Sequence, residues 1–316
     1  MNPSHGTWPG LKIHTGFGAL AWSCAIAAAG VIIPAQTADW IFFGELMVHW
    51  TVHAASLLVI PLIIWRREPI HCLALLALCA LALWPWLIAA WSPRSQPTAA
   101  PKLTVASFNL HIGNPTVAAD LPALRNCAAE IVVLIEVDAA DQASLRGDQR
   151  WPYQHWEPRG ERSLGLALLS QQPVASFVVQ DLAGTPAIEA CLVRAGQPLH
   201  VLAVHPHAPI SPASWRLRDR QFKRIVELVT GINGPVVVLG DFNSTVADPA
   251  WRALLADTGL QRAAGRAPAT WPAHLGVCGI AIDHVLAAHG AQVGSLSAVS
   301  VQGSDHRGVV ASIILD

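Results

Sequence analysis

Apolar residues fall along this chain in two different patterns. In the first hundred residues they form long runs without a formal charge: 26 residues between Lys12 and Asp39, 20 between Glu45 and Arg66, and 25 from Pro69 to Pro93. Crossing a hydrocarbon core takes about 20 apolar residues at about 1.5 Å each. The runs therefore predict three transmembrane helices, near residues 14–34, 43–65 and 70–91, whereas a cleavable leader would supply only one such run. From Lys102 onward the runs shorten to strand length: LTVASF, IVVLIEV, LGLALLS, PLHVLAV, PVVVLG, IDHVLA and GVVASIIL. Helix-like stretches lie between some of them, at 118–129, 216–230 and 249–259, and Asp120 and Asp248 stand where helix N-termini take a side-chain acceptor. Strands nearly continuous in Val, Leu and Ile imply sheets covered on both faces, hence a layered α/β domain over 103–316. The Pro/Ser/Ala stretch between the two patterns, residues 92–102, suits a short extended linker.

Composition sharpens the division. Charged residues make up 13% of the chain, against about 25% in an average soluble protein, and the mean hydropathy is +0.41. Seven of the charges lie in residues 1–100 and 34 in the remainder. Such a chain is neither disordered nor a wholly hydrated globule. Trp22, Trp40, Trp50, Trp65, Trp84, Trp86 and Trp91 lie at or near several run ends, as interfacial belts do. Lys12 precedes the first run, Arg66 and Arg67 occupy the turn between the second and third, and the loop between the first two has no Lys or Arg. Since basic residues are retained on the cytoplasmic side, this predicts a multi-pass protein of the plasma (inner) membrane with the α/β domain on the extracytoplasmic face. Arg94 and Lys102 pull the other way.

The α/β region holds 16 Lys and Arg against 18 Asp and Glu. A protein that grips duplex DNA usually carries a basic surplus, so nucleic acid is disfavoured as a partner. The six cysteines include no CxxC pair and no close Cys/His cluster, which argues against zinc and leaves one disulfide among Cys127, Cys191 and Cys278 open. Glu45, His49 and His53, spaced by four, predict one polar face on the second span. That face is a solvated interfacial stripe or a headgroup contact.

Polar residues gather at the strand ends: Asn109 after VASF, Glu136 after VVLI, His205 after VLAV, Asp241 and Asn243 after VVVLG, Asp283 in IDHVL, and Ser304, Asp305 and His306 before GVVASII. Each position alone is weak, because polar residues ordinarily begin where strands stop. Together they form an oxygen-rich set suited to a hard divalent ion, most simply Mg²⁺, with Mn²⁺ also admissible.

The ordered motifs NLHIGN, VLIEV, LALLSQQPV, VHPH, GDFNS, TWP, IDHVL and SDHRG resemble the endonuclease/exonuclease/phosphatase (DNase I-like) superfamily over residues 103–315. The three-span anchor looks like the membrane-bound branch that includes teicoplanin-resistance proteins. The resemblance implies a four-layer α/β/β/α sandwich and a metal-dependent hydrolase acting on phosphoester bonds. It implies Glu136 as the main metal ligand, Asn109 fixing the metal or its carboxylate, and Asp305 ligating or positioning the ion. Asp241 would orient or deprotonate the attacking water and Asn243 would hold the phosphate. His306, aligned by Asp283, would act as base or phosphate contact, and His205 would donate to the phosphate or assist the leaving oxygen. Whether Asp241 or His306 takes the water's proton stays open, as does His207 in place of His205.

Three positions depart from the family pattern: Ile135 stands where Gln usually precedes the metal-binding Glu, Gly308 stands where SDHR is usually followed by Pro, and VHPH offers two histidines. His284, next to Asp283, faces away on a strand and is expected to be structural. Arg216, Arg218, Arg220, Lys223 and Arg224 read as a solvated basic helix face or a dock for anionic headgroups. Trp151, Tyr153, Trp156 and Arg159 read as core, a substrate-covering loop or a rim on the bilayer. Trp271 is expected near the site without touching the chemistry. A tethered domain works within a linker's length of lipid, so a lipid-linked phosphate or membrane lipid is the expected substrate. The alternatives are an extracytoplasmic nuclease and a non-catalytic, membrane-tethered binding module; oligomeric state is not legible.

Overall fold

The computed structural model describes residues 11–90, 102–112, 114, 124–158, 162–194, 196–265 and 267–315. The chain divides into two compact units, Met1–Ile88 and Ala89–Asp316. In the first, helices α1 (Leu11–Ala35) and α5 (Pro69–Ala90) contain apolar segments, Phe17–Ala35 and Pro69–Ile88, long enough to cross a membrane. The expected middle span is not one straight helix. It is broken into α2 (Phe42–Val48), α3 (Thr51–Leu57) and α4 (Val59–Ile64), and the chain bends by 66° between Val48 and Thr51. Trp50 leaves the helical region there, at φ −105° and ψ 5°. The second break, at Leu58, has a covalent cause: Pro61 lacks an N–H and its ring crowds the carbonyl four residues back, at Leu57. The expected polar face is divided accordingly. Glu45 and His49 are buried and pair at 3.3 Å, while His53 lies beyond the bend with its ring against Trp50.

Small residues let the helices of this unit approach closely. Ala28 and Ile32 of α1, Ala54 and Ala55 of α3, and Leu75 and Ala82 of α5 form its core, with Trp86 Nε1 donating to Thr51 Oγ1 at 3.0 Å. Most of the larger apolar side chains on α1 and α5, among them Ile26, Ile33, Leu73, Leu76 and Trp84, are exposed, a surface that water does not favour and lipid does.

The second unit is an α/β sandwich of two six-stranded sheets. One has the order β11 (Ala291–Ser300), β12 (Arg307–Leu315), β1 (Lys102–Asn109), β2 (Ile131–Ile135), β4 (Leu166–Ser170), β3 (Tyr153–Glu157), and the other β5 (Val174–Leu182), β6 (Thr185–Arg194), β7 (Gln197–Val204), β8 (Val236–Asp241), β10 (Asp283–Ala288), β9 (Gln261–Arg262). The strands that matter for the site are β1 (Lys102–Asn109), β2 (Ile131–Ile135), β7 (Gln197–Val204), β8 (Val236–Asp241), β10 (Asp283–Ala288) and β12 (Arg307–Leu315). Among the described strands, β1/β2 and β7/β8 pair in parallel and all other pairs are antiparallel. Alternation explains the layers. Ile131, Val133 and Ile135 of β2 point between the sheets with Val237 and Leu239 of β8, whereas Val132 and Leu134 point outward to Leu145 and Trp151. On the outer face of the other sheet, Phe242 meets Phe222 of α7 (Pro212–Gly231) and Trp251 of α8 (Pro249–Thr258). Helix α6 (Ala139–Leu145) starts on a capping box, Asp138 with Asp141, and Asp248 caps α8 through Ala250 N, as expected. Asp120 and the first half of the 118–129 stretch lie outside the described residues.

Two departures are explained by packing. Ile135 is buried between the sheets, where its side chain is core rather than a site amide. Gly308 faces the Phe108 ring so closely that a Cβ would overlap it. No disulfide joins cysteines among the described residues.

Candidate active site

Strand direction brings the candidate residues to one edge. The parallel pair β1/β2 ends together at Asn109 and Ile135, putting Glu136 beside Asn109. The parallel pair β7/β8 likewise puts His205 and Asp241 at one end. Neighbours running the other way begin where these finish: Asp283, first in β10, sits opposite Asp241, and β12, antiparallel to β1, starts just after His306.

Turn geometry then aims the side chains. Glu136 and Asn243 have positive φ, 59° and 51°, as does His111 at 63°; such backbone is rare for residues with side chains and clusters at functional sites. Gly240 lies so close to the Val204 carbonyl that a Cβ would not fit, which keeps β8 tight against β7 just before Asp241. Ser304 Oγ donates to Asn109 O at 2.7 Å and accepts from His306 N at 2.9 Å, tying the SDH turn to β1. Thr270 Oγ1 accepts from Ile282 N and Asp283 N.

Asn109 is the bridge. Its Nδ2 donates to Glu136 Oε1 and to Asp241 Oδ2, both at 3.1 Å, while its Oδ1 accepts from His111 N. Facing its amide nitrogen to two carboxylates, it positions them. Glu136 Oε2 accepts from Ile112 N at 2.7 Å. Asp305 is held by Trp271 Nε1 at 3.0 Å from Oδ2, and its Oδ1 lies 3.0 Å from His111 Nδ1. Trp271 therefore touches a candidate metal ligand, contrary to expectation, and His111 is a further site residue; its place two positions after Asn109 was the available signal. His306 Nδ1 is 3.0 Å from Asp283 Oδ2, and its Nε2 points to Asp241 Oδ2 at 3.7 Å. His205 Nε2 lies 3.8 Å from the same oxygen. His207 is clamped by Gln221 through both its backbone N–H and Nδ1, so His205 is the histidine that faces the site. Asn243 donates its N–H to Asp241 Oδ1 and its Nδ2 to Pro206 O, bracing the turn after β7.

Electrostatics separates the groups. Burial and the neighbouring Asp283 push Asp241 up to about 7, against the pull of His306. Burial draws His306 down, but Asp283 and Asp241 outweigh it and raise it to about 10. His205 is lowered to about 4, mainly by burial. Asp241, Asp283 and His306 bring ligand atoms within 4.8 Å of one another and could hold an ion. Asp283 Oδ2 is taken by His306, however, and a protonated imidazole is a poor ligand. The carboxylates of Glu136 and Asp305 are oxygen donors of the kind a hard divalent ion takes, and each Glu136 oxygen takes one hydrogen bond here and retains acceptor capacity.

His284 turns to the opposite face, as expected: its Nε2 meets Ser244 O at 2.8 Å and its ring lies against Trp251 at 4.2 Å. Arg218 departs from the solvated basic face. It is wholly buried and pairs with Asp248 at 3.1 Å, and Asp248 in turn bonds Ser244. Trp151 is core, and Arg159 lies outside the described residues.

Residues 106–306 match the model of the Endonuclease/Exonuclease/phosphatase family. The chain belongs to that family. No curated protein matches it in sequence. Among solved structures, the family protein is similar to an endonuclease/exonuclease/phosphatase from Bacteroides vulgatus (17% identity, TM-score 0.56, covering 68% of this chain and 100% of that one). It is also similar to D. rerio TDP2 complexed with single strand DNA product (15%, 0.54, 67% and 98%) and to sphingomyelinase C from Streptomyces griseocarneus (20%, 0.51, 67% and 99%). At these identities the likeness is one of fold: the α/β sandwich of this family member is similar to theirs.

Proposed function

We propose that this family member is a membrane-anchored, Mg²⁺-dependent phosphoesterase that hydrolyses a phosphoester or pyrophosphate bond of a lipid-linked substrate on the extracytoplasmic face. The observation that carries the hydrolase reading is the Asp283–His306 pair set opposite Asp241, with Asn109 linking Asp241 to Glu136. Glu136 and Asp305 would hold the ion, which when bound neutralises charge on the phosphoryl oxygens. Asp241, raised to about 7, accepts the proton of the attacking water near neutral pH. His306 keeps its proton and, oriented by Asp283, donates from Nε2 to a phosphoryl or leaving oxygen. His205, neutral, adds a second donor beside the same Asp241 oxygen, and Asn243 holds both the Asp241 carboxylate and the turn beside His205.

The lipid reading rests on the two apolar helices and on a neighbour of the same fold that is a sphingomyelinase. The other reading, a nuclease, has a neighbour solved with a single-strand DNA product, but the α/β unit lacks a basic surplus. The test is phosphate or headgroup release by the purified full chain on a polyprenyl pyrophosphate, mixed phospholipids, and single-stranded and duplex DNA, with His306→Ala as the blank. Lipid turnover that chelation abolishes, Mg²⁺ restores and the blank lacks supports the proposal. DNA cleavage without lipid turnover replaces it with the nuclease.

A further inference from the structure

Among the described residues of the α/β unit, the large apolar side chains most open to solvent are Ile210, 82% exposed, and Val277, 79% exposed. Both stand on loops rooted at the site. Ile210 lies five residues after His205, on the connection that runs through the helix cap Ser211 into α7. Val277, with Leu275 (41% exposed), rides the short helical turn Ala273–Cys278. That excursion is pinned at its base by Ala273 N–H to Asp305 O at 2.7 Å and by pairing of Trp271 with Ile280, three residues before Asp283. A third loop carries Ile112, 45% exposed, whose N–H holds Glu136. Loops from both sheets thus set apolar side chains around a polar site. Beyond Ile210, Arg216 and Arg220 are exposed one turn apart on α7, although the unit as a whole has more acidic than basic residues.

Exposed apolar side chains gain nothing in water, and when grouped they mark a contact surface. Apolar tips flanked by Arg fit the boundary of a bilayer, where the tips enter the acyl region and the guanidinium groups meet headgroup phosphates. The same chain supplies the reason to expect a bilayer there. Its apolar helices are long enough to span one, and the eleven residues 91–101 that follow them reach at most about 40 Å when extended. We infer that Ile210, Leu275 and Val277 seat the mouth of the site in the membrane interface, so that substrate enters from the plane of the bilayer. The inference deepens the proposed lipid specificity and rests on it for its activity arm alone.

The test uses the full chain reconstituted in vesicles of phosphatidylethanolamine and phosphatidylglycerol that carry nitroxide-labelled lipid. A fluorescent amino acid is placed at 210, at 277 or at 193. Val193 is also exposed, at 62%, but lies near the β6/β7 turn at the opposite end of its sheet from His205. Quenching at 210 and 277 well above that at 193 is expected. Quenching at 210 and 277 no greater than at 193 overturns the inference. This readout needs no turnover, so it stands if the lipid phosphoesterase reading fails, and its own failure leaves that reading intact. In the activity arm, the Ile210→Asp/Val277→Asp double variant should lose roughly tenfold or more on a vesicle-embedded phospholipid, with a soluble, chain-free phosphoester turned over as before. Equal activity of variant and parent on the embedded lipid likewise overturns it.

Discussion

The two faces of β10 each bury an imidazole and leave it in opposite protonation states. On the site face, Asp283 grips His306, and two carboxylates outweigh burial to raise it to about 10. On the helical face, His284 has the carbonyl of Ser244 and the ring of Trp251 for neighbours, and burial lowers it to about 4. Adjacent residues on one strand thus face the candidate site on one side and the helical packing on the other. Burial alone removes the proton, and only fixed negative charge restores it.

Substitution of the two histidines is the strongest test of this contrast. His306→Ala should lower turnover by roughly 10²–10⁴-fold, the range of a positioned acid or base. His284→Ala should leave turnover of the folded enzyme within a few-fold and instead cost about 2–3 kcal/mol of stability, through a cavity and an unmet carbonyl. Steady-state kinetics beside thermal unfolding separates the two, and a large loss of turnover in folded His284→Ala would erase the distinction between the faces. Next in size is Asn109→Ala, which frees Glu136 and Asp241 from their shared amide. Mg²⁺ affinity should fall by about 10–100-fold, as when other partners of metal-binding carboxylates are lost, measured as the Mg²⁺ dependence of turnover.

A smaller effect is expected at Gly308→Ala, where the new methyl meets the buried ring of Phe108; overpacking of about 1–3 kcal/mol should lower the melting temperature without changing the metal dependence. The subtlest test is pH. In the metal-free protein, nitrogen NMR of the imidazoles should find His306 protonated through neutral pH and His284 neutral down to about pH 4. His284, lowered in the fold, contributes stability that is present above about 6.5 and lost as pH falls through 4. His306, raised in the fold, contributes stability present below about 6.5 and lost as pH rises through 10. Coincident titration of the two would refute the contrast.

Much of the frame was legible beforehand because it depends on local pattern. The seven apolar strand runs from LTVASF to GVVASIIL correspond to β1, β2, β4, β7, β8, β10 and β12, which are buried through most of their length and so carry no alternation to misread. The strands that the apolar runs do not mark, β3 (Tyr153–Glu157), β5 (Val174–Leu182), β6 (Thr185–Arg194), β9 (Gln261–Arg262) and β11 (Ala291–Ser300), lie at or next to sheet edges. β5 and β11 are largely exposed there, β11 bulges between Val293 and Leu296, and their polar and small residues look like loop. The break at Leu58 in the middle apolar run is marked by Pro61, whereas the 66° bend at Trp50 is hidden by uniform hydropathy.

The sequence by itself determined the division into an apolar helical region and a layered α/β region, the family motifs, and the polar residues at strand ends, because periodicity and order are properties of neighbours along the chain. Only the tertiary structure decided that His205 rather than His207 faces the site, that Trp271 and His111 hold Asp305, and that Arg218 is buried with Asp248. It likewise decided that Ile210, Leu275 and Val277 are exposed while Trp151 is buried. Each of these depends on which of two alternating directions a side chain takes and on what a distant segment places opposite it, quantities set by packing across the sandwich and not by any residue's neighbours in sequence.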